Sequence, residues 1–589
     1  MSHLFACSIG PVQDFIATAR RSRDLWYGSW LLSELSKAAA KAIADNGGQL
    51  IFPAFSKPDD LKPMSSLSAP NKIMAVMNGV PDIMANAVND AINTRLYGLR
   101  DDAFEQLRGM GAFQMNSAQA QVDDLVEYYW TSVEIHGDDG YRRARGMAET
   151  LLAARKATRD FSSSKGDYRP KSSLDGARES VINENVYPSL SDSAAEIERK
   201  SKLLFDRFGA RPAERLSGVD IMKRLGQRGS RAASFPSTSH MASYPFLVHV
   251  DKNKRTGDSQ ALCNAIRDYL ETQNVPIDET DGALVYSSRL ADWVSDKTKR
   301  ERPDKVIDKL LSDYAGDVRP QPYYALLVAD GDNMGAAIDH LTAQTNPQQE
   351  HRNLSLALGQ FASQVEEIVS AHQGALVYSG GDDVMAYLPL HTALQCVGVL
   401  ADSFAASMEQ FKTLQGVSPT LSSGIVVAHH LEPLSETLSL ARQAENSAKT
   451  VVGKHGLAIT VSKRSGVDRT IKGKRVELSK RLMQMIEWQQ SGAISAGVAY
   501  ELYELHLALG RSLLPEKALA DEAVRIVDRK HESGGASKVS EQVAGDLVNW
   551  IRVEKLKLSE LAHEMIIASM FADAMTMAKG EFPKEAETK

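Results

Sequence analysis

Apolar positions change their spacing several times along the chain, and each change predicts an element. The run Leu4-Phe5-Ala6-Cys7-Ser8-Ile9, closed by Gly10-Pro11, predicts a strand, after which Val12, Phe15, Ile16 and Ala19 recur at helical spacing. A second helix is predicted over about residues 29–44, where Asn46-Gly47-Gly48 stops it. Residues 49–52 and 72–77 are apolar, β-rich runs flanking a loop of Pro and Ser, and read as two more strands. Helical patterns fill much of the next hundred residues. From about 161 to 246 the texture turns polar, with Ser163-Ser164-Lys165-Gly166-Asp167, Arg211-Pro212 and Phe235-Pro236-Ser237-Thr238 between short helices, as in an inserted domain or connector. The charged run 295–302 is expected to be a solvated face.

The clearest block begins at Tyr323. Tyr324 to Val328 predicts a strand, Asp330-Gly331-Asp332-Asn333-Met334-Gly335 a turn, and helices follow to about Ala371. Residues 375–378 and 384–388 are apolar strands joined by Ser379-Gly380-Gly381-Asp382-Asp383, a hairpin with acids at its tip. A helix (391–408), a strand (422–428), a helix (438–450) and a strand (457–461) complete a βααββαβαβ order, an α/β domain with helices packed on a sheet. After Arg475 the pattern is helical: Val543, Leu547, Trp550 and Ile551 mark one stripe, and Leu558, Leu561, Ile566 and Met570 another. The charged last ten residues are expected to fray.

Composition narrows the class. At 589 residues the chain has room for about four domains. Lys and Arg number 68 against 75 Asp and Glu, a net charge of −7, so nucleic-acid contacts must come from local patches or partners. Cys7, Cys263 and Cys396 are too far apart for a disulfide framework or a Cys-x-x-Cys zinc knuckle, which points to a reducing cytoplasm. No apolar run approaches the ~20 residues of a membrane span, and no signal-like block opens the chain, so no membrane partner is expected. Walker, Gly-x-Gly-x-x-Gly and His-Glu-x-x-His motifs are absent.

Candidate chemistry gathers at the acids. Asp330 and the Asp382-Asp383 pair each adjoin an apolar strand, so in one sheet their carboxylates are expected to converge. Three carboxylates form a hard-oxygen site suited to two Mg²⁺ or Mn²⁺ ions, the arrangement used in phosphoryl displacement. Gly380 and Gly381 suit a tight hairpin and leave room for a triphosphate, although Gly and Asp are also the ordinary residues of any turn. Lys449, near the end of the helix Ala441-Arg442-Gln443-Ala444-Glu445-Asn446-Ser447-Ala448, is expected to reach phosphates; the alternative is a solvated helix lysine.

Here the sequence resembles the large polymerase-cyclase subunit of type III-B CRISPR effector complexes, the Cmr branch, related to GGDEF cyclases and polymerase palms. The resemblance rests on Ile9-Gly10-Pro11-Val12-Gln13-Asp14-Phe15-Ile16, Arg23-Asp24-Leu25-Trp26-Tyr27-Gly28-Ser29, Pro70-Asn71-Lys72, Phe235 to Thr238, Asp330 to Gly335, Ser379 to Asp383, Ser423-Gly424 and His429-His430, in that order. It implies an α/β (α+β) multidomain fold: a degenerate first ferredoxin-like palm (1–100), a helical, loop-rich connector with a degenerate zinc-ribbon-like region (101–320), a second, catalytic GGDD palm (321–475) and a C-terminal helical bundle (476–589). It further implies a nucleotidyltransferase that makes cyclic oligoadenylate from ATP on target-RNA binding, with other Cmr subunits, crRNA and target RNA as partners. Asp330, Asp382 and Asp383 would hold the metal ions; Gly331, Asp332, Asn333, Met334, Gly335, Ser379, Gly380, Gly381 and Lys449 would approach the nucleotide; Ser8, Gly10 and Gln13 would line the first palm's side of the cleft. For Ser8 and Gln13 strand-end packing and helix capping are equal alternatives.

Two departures stand out. Many relatives carry an HD nuclease domain, but the first palm begins at residue 3 and no His-Asp dipeptide occurs, so no HD nuclease is expected. Where relatives often have Cys-x-x-Cys-Gly, this chain has Ser172-Ser173-Leu174-Asp175-Gly176, so no zinc is expected. Rival readings are coupling of ATP to S-adenosylmethionine or cyclic dinucleotide synthesis by the same palm, or an inactive scaffold for the guide complex. For RNA, Arg20-Arg21 with Arg23, and Lys463-Arg464, Arg469, Lys472 and Lys474-Arg475, are candidate phosphate contacts or ordinary surface.

Overall fold

The computed structural model describes residues 1–65, 67–137, 139–158, 168–227, 235–273, 275, 277, 282–294, 298–464, 466–509, 515–533 and 541–580. Parts of the loop-rich stretch (161–167, 228–234), the start of the charged run (295–297) and the tail (581–589) lie outside the described residues.

Two mixed α/β units share one strand order. In the first, β1 (Ser2–Gly10), β2 (Gln49–Phe52), β3 (Lys72–Asn78) and β4 (Glu127–Glu134) form a sheet ordered β2-β3-β1-β4, antiparallel throughout. In the second, β5 (Tyr323–Asp332), β6 (Ala375–Gly380), β7 (Asp383–Leu388) and β8 (Thr420–His429) repeat it as β6-β7-β5-β8. The second sheet is extended by β9 (Gly456–Ser462), parallel to β8, and β10 (Arg469–Lys474), antiparallel to β9. Each four-strand unit is the ferredoxin-like βαββαβ arrangement.

Three differences from the sequence expectations have physical causes. β4 lies beyond residue 100, in the stretch read as helical; its residues are half-buried along the whole strand, so Glu-Tyr-Tyr-Trp-Thr-Ser-Val-Glu shows no two-residue alternation. It pairs with β1 from His3 to Gly10, so the first sheet is completed from inside the expected connector. β10 takes its residues from the basic stretch, where only Ile471 is buried. The second helix begins at Ser22 rather than near 29, because Leu25 and Tyr27 face the core although Asp24, Gly28 and Ser29 interrupt the apolar pattern.

Strand alternation sorts the second sheet into two faces. Tyr324, Leu326, Val328, Met385 and Tyr387 join a core that continues through the Ser22–Asp45 helix to Phe5, Cys7, Ile9 and Ile73 of the first sheet. Ala325, Leu327, Ala329, Val384 and Ile425 face a second core, shared with the Pro347–Ala371 and Leu390–Met408 helices and the C-terminal helices. Polar contacts also join the two units. Ala54 N–H donates to Ser355 Oγ at 2.8 Å. The buried His351 ring bridges Tyr141 Oη (2.9 Å) and the Ile338 carbonyl (2.9 Å); since a carbonyl only accepts, Nε2 donates to it and Nδ1 accepts from Tyr141.

In the connector, Arg224 is buried between Asp24 (2.9 Å) and Glu214 (3.3 Å). In the Ser172–Gly176 segment, the Ser172 hydroxyl donates to Asp220 at 2.7 Å, and Asp220 also accepts from the Ser217 N–H and hydroxyl. Among the described residues no helix is long and apolar enough to cross a membrane.

The feature that positions the site is the seating of the Leu434–Lys449 helix. A Cβ on Gly424 of β8 would fall 2.2 Å from Glu445 N, and one on Gly456 of β9 would fall 2.1 Å from the Ala448 carbonyl oxygen. Helix backbone and strand backbone therefore touch directly. Gly424→Ala should lower the thermal midpoint by several degrees, because backbone cannot yield as a side chain can and overpacking costs about 1–3 kcal/mol. Gly359→Ala, in open space on the Pro347–Ala371 helix, should be neutral or stabilising in the same scanning calorimetry.

Candidate active site

The acids meet at one end of the second sheet. Asp330 follows Val328 by two residues and so lies on the face directed toward the shared core. The last β5–β7 pair is Ala329–Val384, which puts Asp330 beside Asp383. Asp382 occupies the hairpin turn with Gly381, whose φ of +68° falls at the position where a type II′ hairpin takes glycine. Gly380 pairs with Asp383 inside the ladder and supplies space rather than a positive φ. A Cβ on Gly331 would lie 2.7 Å from Asp382 Cβ and Oδ2, so this glycine admits the Asp382 carboxyl to the group.

Lys449 supplies the counter-charge. Its ammonium contacts Asp330 Oδ2 and lies 2.7 Å from Glu445 Oε1, one helical turn earlier. Partial burial works against its charge, but the bonds to Asp330 and Glu445 win and hold its pKa above the ordinary lysine value. One ammonium does not neutralise the cluster. Burial and then the Asp330 charge push Asp382 up to about 6; burial, the Asp330 hydrogen bond and the Asp382 charge push Asp383 well above the usual carboxylate range. Tyr378, beside Asp383, is held neutral by burial and by that negative field.

The other expected residues are distributed unevenly. Gly335, Gly380 and Gly381 face open space. Asn333 is left-handed (φ +63°) and precedes the Met334–Leu341 helix. Met334 is buried in the apolar core. Asp332 is 3% exposed and serves as a brace: its Oδ2 accepts from Thr420 Oγ1 (2.9 Å), Ser422 Oγ (2.7 Å) and His455 N–H (3.0 Å), while Oδ1 has no partner. Ser379 is buried with an unpartnered hydroxyl. In the first unit Gly10 ends β1, Gln13 is exposed at the start of a short helix, and Ser8 is buried on the strand face that Leu4 and Ala6 turn toward the Gly140–Ala157 helix. Lys72 opens β3 as Asp383 opens β7, and pairs with Glu149 at 3.0 Å. Glu445 was not anticipated as a site residue; its i,i+4 spacing from Lys449 was the available signal.

All oxygen donors here are hard, and the raised carboxyls mark an excess of negative charge, which suits a divalent cation. Among the described residues, however, no three His, Cys, Asp or Glu side chains are preset as a metal cage. Lys449 is the cation that meets Asp330 in this arrangement.

An α/β fold of palm type, with acids at the sheet end, is the class these features define. Residues 323–458 match the family described as Cas10/Cmr2, second palm domain, and residues 4–97 match CRISPR-associated protein Cmr2, N-terminal. Over these two stretches the chain is similar to Cas10/Cmr2 proteins. The CRISPR system Cmr subunit Cmr2 of Pyrococcus furiosus is 26% identical over 553 residues, covering 79% of this chain; this chain covers 62% of that relative's length. Two chains titled as type III-B Cmr-beta share the fold: one in the apo state (TM-score 0.63, 14% identity, 99% of this chain and 82% of that one) and one bound to cognate target RNA (TM-score 0.64, 13% identity, 97% and 83%).

Charge crowding has a measurable sign. A carboxyl whose folded-state pKa is raised contributes stability below the ordinary carboxylate range and loses it as pH rises through the folded value. In EDTA-containing buffer, Asp383→Asn should therefore raise the thermal midpoint relative to wild type at about pH 8, with the advantage fading toward about pH 4. Scanning fluorimetry across that range reads it, and a pH-independent difference would count against crowding as the cause.

Proposed function

We propose that this chain is a metal-dependent nucleotidyltransferase that converts ATP into cyclic oligoadenylate. The observation that carries the reading is the convergence of Asp330, Asp382, Asp383 and Lys449 at one open sheet end. In the reaction, a ribose hydroxyl of one ATP attacks the α-phosphorus of another; the new O–P bond forms as the bond to pyrophosphate breaks, and the hydroxyl proton passes to solvent. Repetition and a final intramolecular attack close the ring.

Asp330, Asp382 and Asp383 would hold two Mg²⁺ or Mn²⁺ ions, which supply charge neutralisation and a more acidic hydroxyl. Lys449 presents an ammonium to the phosphates, held in reach by Glu445 and by the direct seating of its helix on β8 and β9. Gly335, Gly380 and Gly381 leave space for the triphosphate, and Asn333 turns the chain into the helix that follows. Gly10 and Gln13 form the first palm's side of the cleft. Catalysis then rests on positioning and electrostatics, with no side-chain base required. The family resemblance supports a setting in a cytoplasmic ribonucleoprotein with other Cmr subunits, crRNA and a target RNA that switches the site on.

Mass spectrometry of products formed from ATP and Mg²⁺ by the complete complex, with and without matching target RNA, tests this. A target-dependent set of cyclic adenylates is expected, and Asp382→Ala/Asp383→Ala should abolish it while leaving assembly intact. A methionine-containing adduct when S-adenosylmethionine is added would select that transfer instead, and absence of any nucleotide product would favour a scaffold.

A further inference from the structure

The helix that follows the acids is held from the first unit. Met334–Leu341 starts directly after the Asp330–Asn333 turn and carries Gly335, which faces open space. A helix of eight residues is too short to be stable alone, and this one buries Met334, Ala337 and Leu341. Its second turn is gripped by the Gly140–Ala157 helix. The Arg145 guanidinium donates to Asp339 Oδ1 at 2.9 Å, and the Ile338 carbonyl accepts from His351, whose ring accepts in turn from Tyr141 Oη. Tyr141 and Arg145 stand one helical turn apart. Tyr141, Ala144, Ala148 and Leu152 pack against Leu4, Ala6 and Met74 of the first sheet, so the grip is anchored in that sheet's own apolar cluster. From the second unit itself, the Lys412 carbonyl accepts from His340 Nδ1 at 2.7 Å.

The charges form a row. Lys72 lies 3.0 Å from Glu149, Glu149 3.3 Å from Arg145, and Arg145 2.9 Å from Asp339, so signs alternate from the first residue of β3 to the helix after β5. The Arg145 side chain is 10% exposed and that of Asp339 74% exposed. With one partner in solvent the pair adds little to the stability of the fold, and its consequence is geometric. Asp339 follows Gly335 by four residues on the same helical face, and helical side chains lean toward the N-terminus, so the pair sits over the turn that carries Gly335.

We propose that Arg145 and Asp339, with the Tyr141–His351 link, are positioning residues for ATP: the first unit sets the placement of the Met334–Leu341 helix and so the fit of Gly335 to the triphosphate. This rests on the nucleotide reading above. The effect falls on nucleotide affinity rather than on the chemical step, because Asp330, Asp382 and Asp383 are placed by β5 and by the β6–β7 hairpin, not by this helix.

Equilibrium dialysis of labelled ATP with Mg²⁺ against the full chain, together with hydrogen exchange over residues 334–341 read by mass spectrometry, tests it. Arg145→Met and Asp339→Ala should each weaken ATP binding about 3- to 5-fold, and the double variant no further, since both remove the same pair. Exchange over 334–341 should rise in each, and Asp339→Glu should keep wild-type affinity. In the complete complex the KM for ATP should rise by the same factor with kcat unchanged, whereas a general loss of fold lowers kcat at unchanged KM. Should Arg145→Met unsettle the fold, as thermal scanning would reveal, Asp339→Ala alone decides, since its side chain is exposed. Unchanged affinity and exchange, or additive losses in the double variant, would overturn the proposal. A wild-type complex that binds ATP without making product would remove the synthetic reading and leave the affinity comparison to decide this one.

Discussion

Direct contact between one helix and the sheet beneath it governs the arrangement of the acids and their counter-charge. Gly424 and Gly456 put no atoms between the strands and the helix Leu434–Lys449, and a methyl at either position would collide with backbone. That closeness brings Glu445 and Lys449 down to the level of Asp330. A helix lifted by one side-chain layer would carry its lysine into solvent and leave the three aspartates at the sheet end without an internal cation. The geometry of the charges is thus set by two residues that carry no charge.

The same reasoning explains what was legible in the sequence. Asp330, Asp382 and Asp383 are legible because an apolar run followed by acids and glycines predicts both a strand end and a tight turn. Lys449 is legible by its place near the end of a helix, whereas Glu445 is not, because a Glu–Lys pair one turn apart is common on solvated helices. Asp332 shows the opposite failure. Its position in Asp-Gly-Asp suggests a nucleotide contact, yet its carboxyl is bonded to two hydroxyls and an amide from segments about 90 and more residues away, which no local pattern announces. β4 was hidden for a related reason: a strand half-exposed along its length has no periodic signature, and only its pairing with β1 defines it.

The repeated strand order makes the two units comparable position by position. Where β7 opens with Asp383, β3 opens with Lys72; where the two residues Gly381-Asp382 join β6 to β7, a loop of nineteen residues joins β2 to β3. A lysine at the strand start cannot add a hard oxygen ligand, and a long loop cannot fix an acid at the sheet end as a two-residue turn does. The architecture is duplicated while the anionic chemistry is confined to one copy.

The core that joins the sheets bears on how the molecule can be divided. Val328, Met385 and Tyr387 of one sheet and Phe5, Ile9 and Ile73 of the other belong to a single apolar interior, into which the Ser22–Asp45 helix is inserted. A fragment cut between the two units would expose a broad hydrophobic face on each piece, the condition under which excised domains aggregate. Modularity here is a property of topology and not of cohesion: the molecule repeats a unit twice but shares one interior, so its halves are recognisable without being separable.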